Sequence, residues 1–293
     1  MRFEEYLKQQ KDFLNFINKD DEINSYFLGA IDALSIASHN LLPKSYKLYN
    51  TNLTDFDKYD KLVDAFKYFL CICNYYNIDK DKFDEFFKLK STYVKNRFIL
   101  KEIINNTNAY KNLVLIDIDG ILANYPDYFI SKFNEVNHTN YKNYNDIPVK
   151  DRDFYKDIYR KSGEKANIPL CKNAKQFLHN LKNNGYTIIL FTNRPVYLYK
   201  NITIDTIKWA LKNELEFDTI LYSENKMLDV IKKFDKNSIK FYIEDNYNNA
   251  LNINNLGIKT YLLKTKLNKD KIKNDNNIII IDDLTQVKEA FND

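Results

Sequence analysis

Short apolar runs alternate with amphipathic stretches from Leu113 to the C-terminus, and this alternation constrains the fold of the 293-residue chain more than any other feature. The runs are "LVLID", "TIILFT", "DTILYS", "KFYIED", "IKTYLL" and "NIIIID". Uninterrupted apolar strands separated by helices are typical of a parallel sheet that is buried on both faces. We therefore predict an α/β domain with a doubly wound parallel sheet over residues 111–293.

One segment, residues 126–170, departs from this alternation. It lies between the first strand and the next helix, and it is aromatic and polar, with helical stretches in "PDYFISKFNEVN" and "DRDFYKDIYRKSG". Doubly wound sheets bind their ligands at the carboxyl ends of the strands. We predict that this segment is a small helical cap inserted over those ends.

Residues 1–110 show helical periodicity and no strand alternation. Apolar residues stand at helical spacing in "FEEYLKQQKDFLNFI", "INSYFLGAIDALSIASHNLL" and "YDKLVDAFKYFLCICNYYN". The stretch "KFDEFFKLKSTYVKNRFILKEIINN" predicts one or two further helices. We predict an all-α domain that precedes the sheet.

Composition argues against several classes of function. The net charge of +4 comes from 44 basic and 40 acidic residues, without the local basic excess of a nucleic-acid surface, so a nucleic-acid partner is not expected. The three cysteines are too few for a disulfide framework, and no stretch resembles a signal core or a membrane span. We expect a cytoplasmic protein without a membrane partner.

Polar side chains follow the predicted strands where each strand ends. Asp117 closes the first strand, and Asp119 follows in a turn where Gly120 allows a sharp bend. The carboxyl ends of parallel strands meet at one edge of a sheet, so we expect the polar residues there to converge. Those at the other strand ends are Thr192, Asn193, Arg194, Lys226, Glu244 and Asp245.

Several carboxylates in one small cleft require a cation. Mg²⁺ takes a few carboxylates, water and phosphate oxygens as ligands, and with Lys226 present a phosphate dianion can approach. One carboxylate can then attack phosphorus and form an aspartyl-phosphate, while a second protonates the leaving alcohol and later activates water. Thr192 can donate a hydrogen bond to the transferring phosphoryl group. The sequence therefore predicts two aspartates that divide these roles around one metal.

A helix cap is the simpler explanation for a single acidic strand end. We choose it for Asp282 and Asp283, which follow the last apolar run and precede a predicted helix. Four strand ends that carry matched polar groups are not well explained in this way.

The motifs "DIDGILA", "LFTNRP", Lys226 and "IEDN" resemble, in order and spacing, the four motifs of the haloacid dehalogenase (HAD) superfamily over residues 112–293. The resemblance implies that Asp117 is the nucleophile and that Asp119 is the acid/base. It implies that Thr192 and Lys226 bind the phosphate. An acidic residue two positions after the nucleophile favours a phosphatase over a dehalogenase.

The same resemblance implies Mg²⁺ as the cofactor. Its ligands would be the Asp117 carboxylate, the backbone carbonyl of Asp119 and the Asp245 carboxylate. Glu244 would either support these ligands or replace one of them.

A finer resemblance is to the branch that contains the 5′(3′)-deoxyribonucleotidases, carried by "DIDGILANY", "GYTIILFTNRP", "IEDNYNNALNINNLGIKTYLL" and the "KTKLN" that follows. It implies a cap that holds a nucleoside, with Tyr125, Phe129 and Phe133 as candidates for stacking on the base. Packing inside the cap is the alternative, above all for Phe133. Asn193 and Arg194 are candidates for binding the substrate; Arg194 would clamp a phosphate or else form a surface salt bridge.

The helical region resembles the all-α NTP pyrophosphatases of the MazG and dimeric dUTPase group in "DKLVDAFKYFLCICNYYNID" and "YVKNR". That family holds Mg²⁺ with acidic pairs on two helices. This chain departs from that pattern on both helices. Asp32 is followed one turn later by Ser35, and Lys61 stands where a ligand is expected beside Asp60 and Asp64, which are one turn apart. We interpret the domain as a degenerate one that serves as a homo-oligomer interface or as a nucleotide sensor. An ordinary helix surface equally explains Tyr93, Lys95, Asn96 and Arg97.

These patterns favour a Mg²⁺-dependent phosphomonoesterase whose partner is a small phosphate ester, namely a nucleoside or deoxynucleoside monophosphate. Three alternatives stay open at this point. They are a bifunctional pyrophosphatase and phosphatase, a polynucleotide-end phosphatase, and a nucleotide-sensing interaction protein.

Overall fold

The structure is a computed structural model that describes residues 3–17, 26, 30, 55–270, 272 and 277–291. The chain divides into two compact units, residues 1–88 and 89–293. The sequence-based division near residue 110 stays a prediction.

The first unit contains helices α1 (Phe3–Ile17) and α2 (Asp55–Tyr75). The two helices pack together, since Asn74 donates from Nδ2 to the carbonyl of Leu7 over 3.3 Å and the rings of Tyr6 and Phe66 meet edge-on at 5.5 Å. Most of the predicted helix in "INSYFLGAIDALSIASHNLL" lies outside the described residues. None of the helices in the described part of the chain combines the length and apolar character that a membrane span needs.

A single helix, α3 (Lys80–Asn105), occupies the stretch for which the sequence predicted one or two. Its C-terminal half belongs to the second unit. There Leu89 and Ile103 are 4% and 1% exposed and pack into the two apolar clusters that cover the sheet.

The second unit is built on a six-stranded sheet in the order β3-β2-β1-β4-β5-β6, with every neighbouring pair parallel. The strands are β1 (Leu113–Ile116), β2 (Thr187–Thr192), β3 (Thr219–Tyr222), β4 (Ile239–Glu244), β5 (Thr260–Leu263) and β6 (Ile278–Ile281). β1 lies at the centre, with Ile116 opposite Leu190 of β2 and Ile243 of β4. The order reverses at β1, as in doubly wound sheets, so the predicted fold class is confirmed.

Helices cover both faces of the sheet, because successive residues of a strand point to opposite sides. Val114 and Ile116 of β1 enter one apolar cluster, and Leu113 and Leu115 enter the other. The helices of this unit after α3 are α4 (Asp127–Asn137), α5 (Val149–Lys161), α6 (Ala174–Asn183), α7 (Asn201–Lys212), α8 (Lys226–Lys233), α9 (Tyr247–Asn254) and α10 (Lys288–Phe291).

Helices α4 and α5 form the inserted cap that the sequence predicted. The insert leaves and rejoins the sheet domain through a short stem, in which the amide of Asn124 donates to the carbonyl of Pro169 and that of Cys171 donates to the carbonyl of Leu122, each over 2.8 Å. The cap has an apolar core of its own, built from aromatic side chains of α4 and α5.

The prediction of a helix cap after the last strand is confirmed for Asp283. Its side chain accepts from the amide of Thr285 over 2.9 Å, and Gln286 completes a capping box. The side chain of Asp282 does not take part in that cap, since its carboxylate lies 3.7 Å from Nζ of Lys264.

Candidate active site

The turn after β1 carries the two aspartates of the first motif. It folds back on itself, since the amide of Ala123 donates to the carbonyl of Ile118 over 2.8 Å and the amide of Gly120 donates to the carbonyl of Ala123 over 2.9 Å. Gly120 has φ +91°, and a Cβ at this position would lie 2.1 Å from Oδ2 of Asp245. Glycine is therefore required both for the backbone angle and for the close approach of the residue that follows β4.

Asp117 stands at the carboxyl end of β1, where its amide donates to the carbonyl of Ile243 over 3.0 Å. Its Oδ1 lies 2.8 Å from Nζ of Lys226, the first residue of α8. Burial raises the pKa of Asp117 to about 8, and the neighbouring Glu244 raises it further, whereas Lys226 lowers it. The surroundings of this carboxylate are thus short of positive charge.

Glu244, the last residue of β4, is buried and surrounded by donors. Lys226 and the hydroxyl of Tyr242 donate to Oε2, and the amides of Asp245 and Asn246 donate to Oε1 over 3.1 and 3.0 Å. Burial alone would raise the pKa of Glu244, but Lys226 and these hydrogen bonds lower it to about 2. Glu244 is therefore ionised, and its contacts hold Lys226 in place.

Asp117, Glu244 and Asp245 each bring one carboxylate oxygen within 4.8 Å of the others. Asp117 and Glu244 share one ammonium, because Lys226 is in contact with both. Burial, Glu244 and Asp117 together raise the pKa of Asp245 well above its usual range. A buried set of oxygen donors with excess negative charge fits a hard divalent cation such as Mg²⁺.

Asp119 has the opposite surroundings. Arg194 donates to its two oxygens from Nε over 3.2 Å and from Nη2 over 2.7 Å, and Nζ of Lys165 donates over 2.7 Å. Burial alone would raise the pKa of Asp119, but these two cations hold it well below its usual range. Burial lowers the pKa of Lys165 to about 8. Asp119 is therefore held as the carboxylate, the form that can accept a proton.

The end of β2 contributes three consecutive polar residues. Oγ1 of the buried Thr192 accepts from the amide of Arg194 over 3.2 Å, and the exposed Asn193 donates to the carbonyl of Ser223 over 2.8 Å. For Arg194 the sequence left two roles, a phosphate clamp or a surface salt bridge. The structure instead buries Arg194 and pairs it in a bidentate fashion with Asp119, so the surface salt bridge is corrected to an internal one.

A cavity of about 340 Å³ lies at these strand ends. It is lined by residues of the sheet domain and of the cap, and it brings both aspartates together with all three polar residues of β2. The lining consists of Asp117, Asp119, Tyr125, Lys156, Tyr159, Arg160, Lys165, Thr192, Asn193, Arg194, Pro195 and Asn246.

Of the three aromatic residues predicted to stack on a base, one lines the cavity and two are buried in the cap. Tyr125 lines the cavity. Phe129 is fully buried in the core of the cap, where its ring packs against those of Tyr155 and Tyr159 at 5.4 and 5.2 Å. The prediction for Phe129 is therefore corrected, because the cap core already covers its ring, and Phe133 is likewise a packing residue at 3% exposure.

The acidic residues of the helical region are only partly described. Asp32 and Ser35 lie outside the described residues. In α2, Nζ of Lys61 lies 3.0 Å from Asp64 and 3.7 Å from Asp60. The two carboxylates thus obtain their counter-charge from a lysine of their own helix.

The "YVKNR" residues lie on α3 in the second unit. Asn96 is buried, and its carbonyl accepts from Oγ1 of Thr219 over 2.8 Å. The guanidinium of Arg97 lies 5.7 Å from the ring of Tyr93. These residues and Lys95 are absent from the lining of the cavity between the cap and the strand ends.

The cap contributes four residues to the cavity that were not predicted from the sequence: Lys156, Tyr159, Arg160 and Lys165. Basic and acidic residues are mixed along α5, and nothing in "EKAN" marks Lys165. Asn268, the last residue of "KTKLN", was given no role; its Nδ2 donates to the carbonyl of Asp245 over 2.6 Å and so fixes the turn after β4. The only available signal was the four-residue spacing of Lys156 and Arg160, which places both on one side of a helix.

No protein-family model matches the sequence, and no curated protein matches it. Solved structures that resemble the chain include a D,D-heptose 1,7-bisphosphate phosphatase from Burkholderia thailandensis, with 13% identity, a TM-score of 0.39, and coverage of 62% of this chain and 96% of that one. A HAD hydrolase of family IA, variant 3, from Entamoeba histolytica HM-1:IMSS has 15% identity, a TM-score of 0.42, and coverage of 61% and 97%. A HAD phosphatase from Thermococcus onnurineus has 12% identity, a TM-score of 0.41, and coverage of 61% and 96%. Likenesses this distant do not assign a reaction to the chain.

Proposed function

We propose that the chain is a phosphatase of the HAD superfamily, a Mg²⁺-dependent phosphomonoesterase that acts through an aspartyl-phosphate on nucleoside or deoxynucleoside monophosphates. One observation carries the proposal. Asp117 and Asp119 line the same cavity but have opposite electrostatic surroundings. Asp117 lies in a cluster of carboxylates, whereas Asp119 is held in its ionised form by two cations. Two carboxylates that differ in this way are suited to different roles in one reaction.

Asp117 is the nucleophile in this proposal. A carboxylate oxygen of Asp117 attacks phosphorus, the bond from phosphorus to the ester oxygen breaks, and the phosphoryl group is transferred to Asp117. Lys226, 2.8 Å from Oδ1, orients the carboxylate, and Oγ1 of Thr192 donates a hydrogen bond to a phosphoryl oxygen. Lys226 is fixed by Glu244, so the nucleophile is held before the substrate arrives.

Asp119 handles the protons. In its protonated form it gives a proton to the leaving alkoxide, and as the carboxylate it takes a proton from water as the water oxygen attacks phosphorus. That second step releases inorganic phosphate and restores the carboxylate of Asp117. The ion pairs with Arg194 and Lys165 favour the carboxylate, which supports the water-activating step and opposes the protonating step.

The residues that would hold Mg²⁺ are Asp117 and Asp245, with the backbone carbonyl of Asp119 and with Glu244 close by. When bound, the ion supplies positive charge that lets a phosphate dianion approach the carboxylates. Asn268 and Gly120 fix the position of Asp245 for this purpose.

Two features support a nucleotide as the substrate. The cavity places the ring of Tyr125 in its lining, which offers a stacking surface for a base. Its volume of about 340 Å³ suits a small molecule.

The direct test is phosphate release from ribo- and deoxyribonucleoside monophosphates with and without Mg²⁺, using the full chain and Asp117→Asn. The proposal expects Mg²⁺-dependent release by the unchanged chain and none by the variant. Release that does not require Asp117, or no release from any monophosphate, would overturn it. Deoxynucleoside triphosphates in the same assay address the bifunctional alternative, which expects pyrophosphate as a product.

A further inference from the structure

The lining of the active-site cavity is rich in cations. It contains the four basic side chains Lys156, Arg160, Lys165 and Arg194, against the two carboxylates Asp117 and Asp119. The cations divide into two pairs with different partners, and only one pair forms ion pairs with a carboxylate of the lining.

Lys165 and Arg194 form the matched pair. Both donate to Asp119 within 3.2 Å, and their side chains are 6% and 0% exposed. These contacts are with Asp119 in the turn after β1. Together the two cations position Asp119, which neutralises one of their two positive charges.

Lys156 and Arg160 form the second pair, one turn apart on α5. Lys156 donates from Nζ to the hydroxyl of Tyr144 over 3.1 Å, and the guanidinium of Arg160 lies 5.4 Å from the ring of Tyr199. In the part of the chain that the structure describes, neither forms an ion pair with a carboxylate. Aromatic partners hold these side chains in place without forming an ion pair with them. The guanidinium of Arg160 also lowers the pKa of Asp157, an acidic residue of the same helix that pairs with Lys161.

We infer that Lys156 and Arg160 form a second anion subsite, and that the preferred substrate is a small phosphate monoester that carries a second phosphate group. This inference rests on the proposed function, because it assumes that the first phosphate is bound at Asp117. The second phosphate lies at the cap end of the same cavity, where an Arg and a Lys on one helix face can donate to it together. A cavity that binds one phosphate alone would leave both cations unmatched.

Phosphate is the anion that this pair fits best. Two unmatched positive charges balance a dianion, and the planar guanidinium of Arg160 can donate to two phosphate oxygens at once. An aromatic base would find a platform at Tyr125 without either cation. The second phosphate therefore sets the specificity of the cap.

The test compares deoxyadenosine 5′-monophosphate with deoxyadenosine 3′,5′-bisphosphate on the full chain in the presence of Mg²⁺. We expect kcat/KM to be higher for the bisphosphate by about tenfold or more, since hydrogen bonds to charged groups contribute at that level. In the double variant Lys156→Gln/Arg160→Gln the ratio of the two kcat/KM values should fall toward one. Lys150→Gln removes a charge from the same helix outside the cavity, and it should leave the ratio unchanged.

Binding to Asp117→Asn, measured by calorimetry, separates this inference from the proposed function. If the bisphosphate binds at least tenfold more tightly than the monophosphate and the double variant on this background removes the difference, the subsite is supported even without turnover. Equal binding of the two nucleotides would overturn the subsite while leaving a phosphatase intact. Faster cleavage of a 5′-phosphorylated oligonucleotide than of the bisphosphate would overturn the assignment to a small ligand.

Discussion

Asp117 and Asp119 stand two residues apart in sequence, yet their environments push their pKa values in opposite directions. Asp117 lies beside Glu244 with one shared lysine, and its pKa rises to about 8. Asp119 is held by Arg194 and Lys165, and its pKa falls well below the usual range. The difference arises from the elements that face each side chain: β4 and α8 for Asp117, the cap and the loop after β2 for Asp119.

Replacing Asp117, the proposed nucleophile, should separate activity from stability. Asp117→Asn should lower kcat by on the order of 10⁴-fold or more, because the attacking oxygen is lost. The melting temperature without Mg²⁺ should stay equal or rise. The pKa of Asp117 is higher in the folded state than in the unfolded state, where it is about 4. At a pH above 4 the charge of Asp117 therefore destabilises the folded state, and asparagine removes that charge. Phosphate release and thermal unfolding at pH 7 measure both effects; near-normal turnover would contradict the role of Asp117.

Removing Lys165 should change the pH dependence of activity. Lys165→Met leaves Asp119 buried with one cation instead of two, so the pKa of Asp119 should rise. The carboxylate form is then lost at a higher pH, and kcat near pH 5 should fall relative to kcat near pH 8, if water activation limits turnover. Steady-state rates across pH give the comparison. Lys142→Met, an exposed substitution in the cap, is the control, and identical pH profiles for the two variants would contradict the argument.

The same substitution should alter stability with a predictable sign. The pKa of Asp119 is lower in the folded state than in the unfolded state, where it is about 4. Asp119 therefore stabilises the fold at a pH above 4, and this contribution is lost as the pH falls toward the pKa of the folded state. Lys165→Met should therefore reduce the free energy of unfolding more at pH 7 than at pH 3. Urea unfolding at the two pH values measures the difference, and an equal loss at both would contradict it.

At the residue scale, the sequence predicted which residues converge and not how they are paired. Thr192, Lys226 and Asp245 were found because each follows an apolar strand, and strand ends of a parallel sheet meet. The bond from Arg194 to Asp119 was not predictable, because it depends on a side chain that turns back from the loop after β2. Lys165 was missed because the path of an inserted cap is set by its packing and leaves no periodic signal.

At the scale of elements, the turn after β1 depends on one glycine. Gly120→Ala should displace Asp245, since the added Cβ would lie 2.1 Å from Oδ2 of that residue. We expect activity to fall at least tenfold and Mg²⁺ to lose its stabilising effect on thermal unfolding. Gly185→Ala is the matched control, because Gly185 also has positive φ, +76°, but no atom of the described residues lies within 4 Å of the added Cβ. Both variants should lose about 1–2 kcal/mol of stability, because alanine is strained at positive φ; equal activity in the two would contradict the role of Gly120.

The order of elements was predictable because apolar residues are spaced differently in helices and in strands. β2, β4 and α8 lie where the apolar runs and the position of Lys226 placed them. The cap was predicted as helical, but the inward direction of Phe129 was not. The sequence places Phe129 on α4 next to Tyr125, and only the packing of α5 decides which of the two rings is covered.

At the scale of the whole molecule, α3 links the helical region to the sheet domain in sequence. A chain that begins at residue 79 keeps this helix, whereas one that begins at residue 107 loses the burial of Leu89 and Ile103. Each buried side chain of this size contributes about 1.5–3 kcal/mol. Urea unfolding should therefore show that residues 79–293 are more stable than residues 107–293 by several kcal/mol. Equal stability of the two fragments would contradict the assignment of the second half of α3 to the sheet domain.

The position of β1 at the centre of the sheet also has a consequence for biosynthesis. β1 acquires its two neighbours from residues 187–192 and 239–244, both far downstream in the chain. Long-range pairing of this kind forms late, since the intervening loops must close first. When a ribosome has just synthesised Asp117 and Asp119, these residues therefore still lack the neighbours that complete the candidate site, which forms only after Asp245 has emerged.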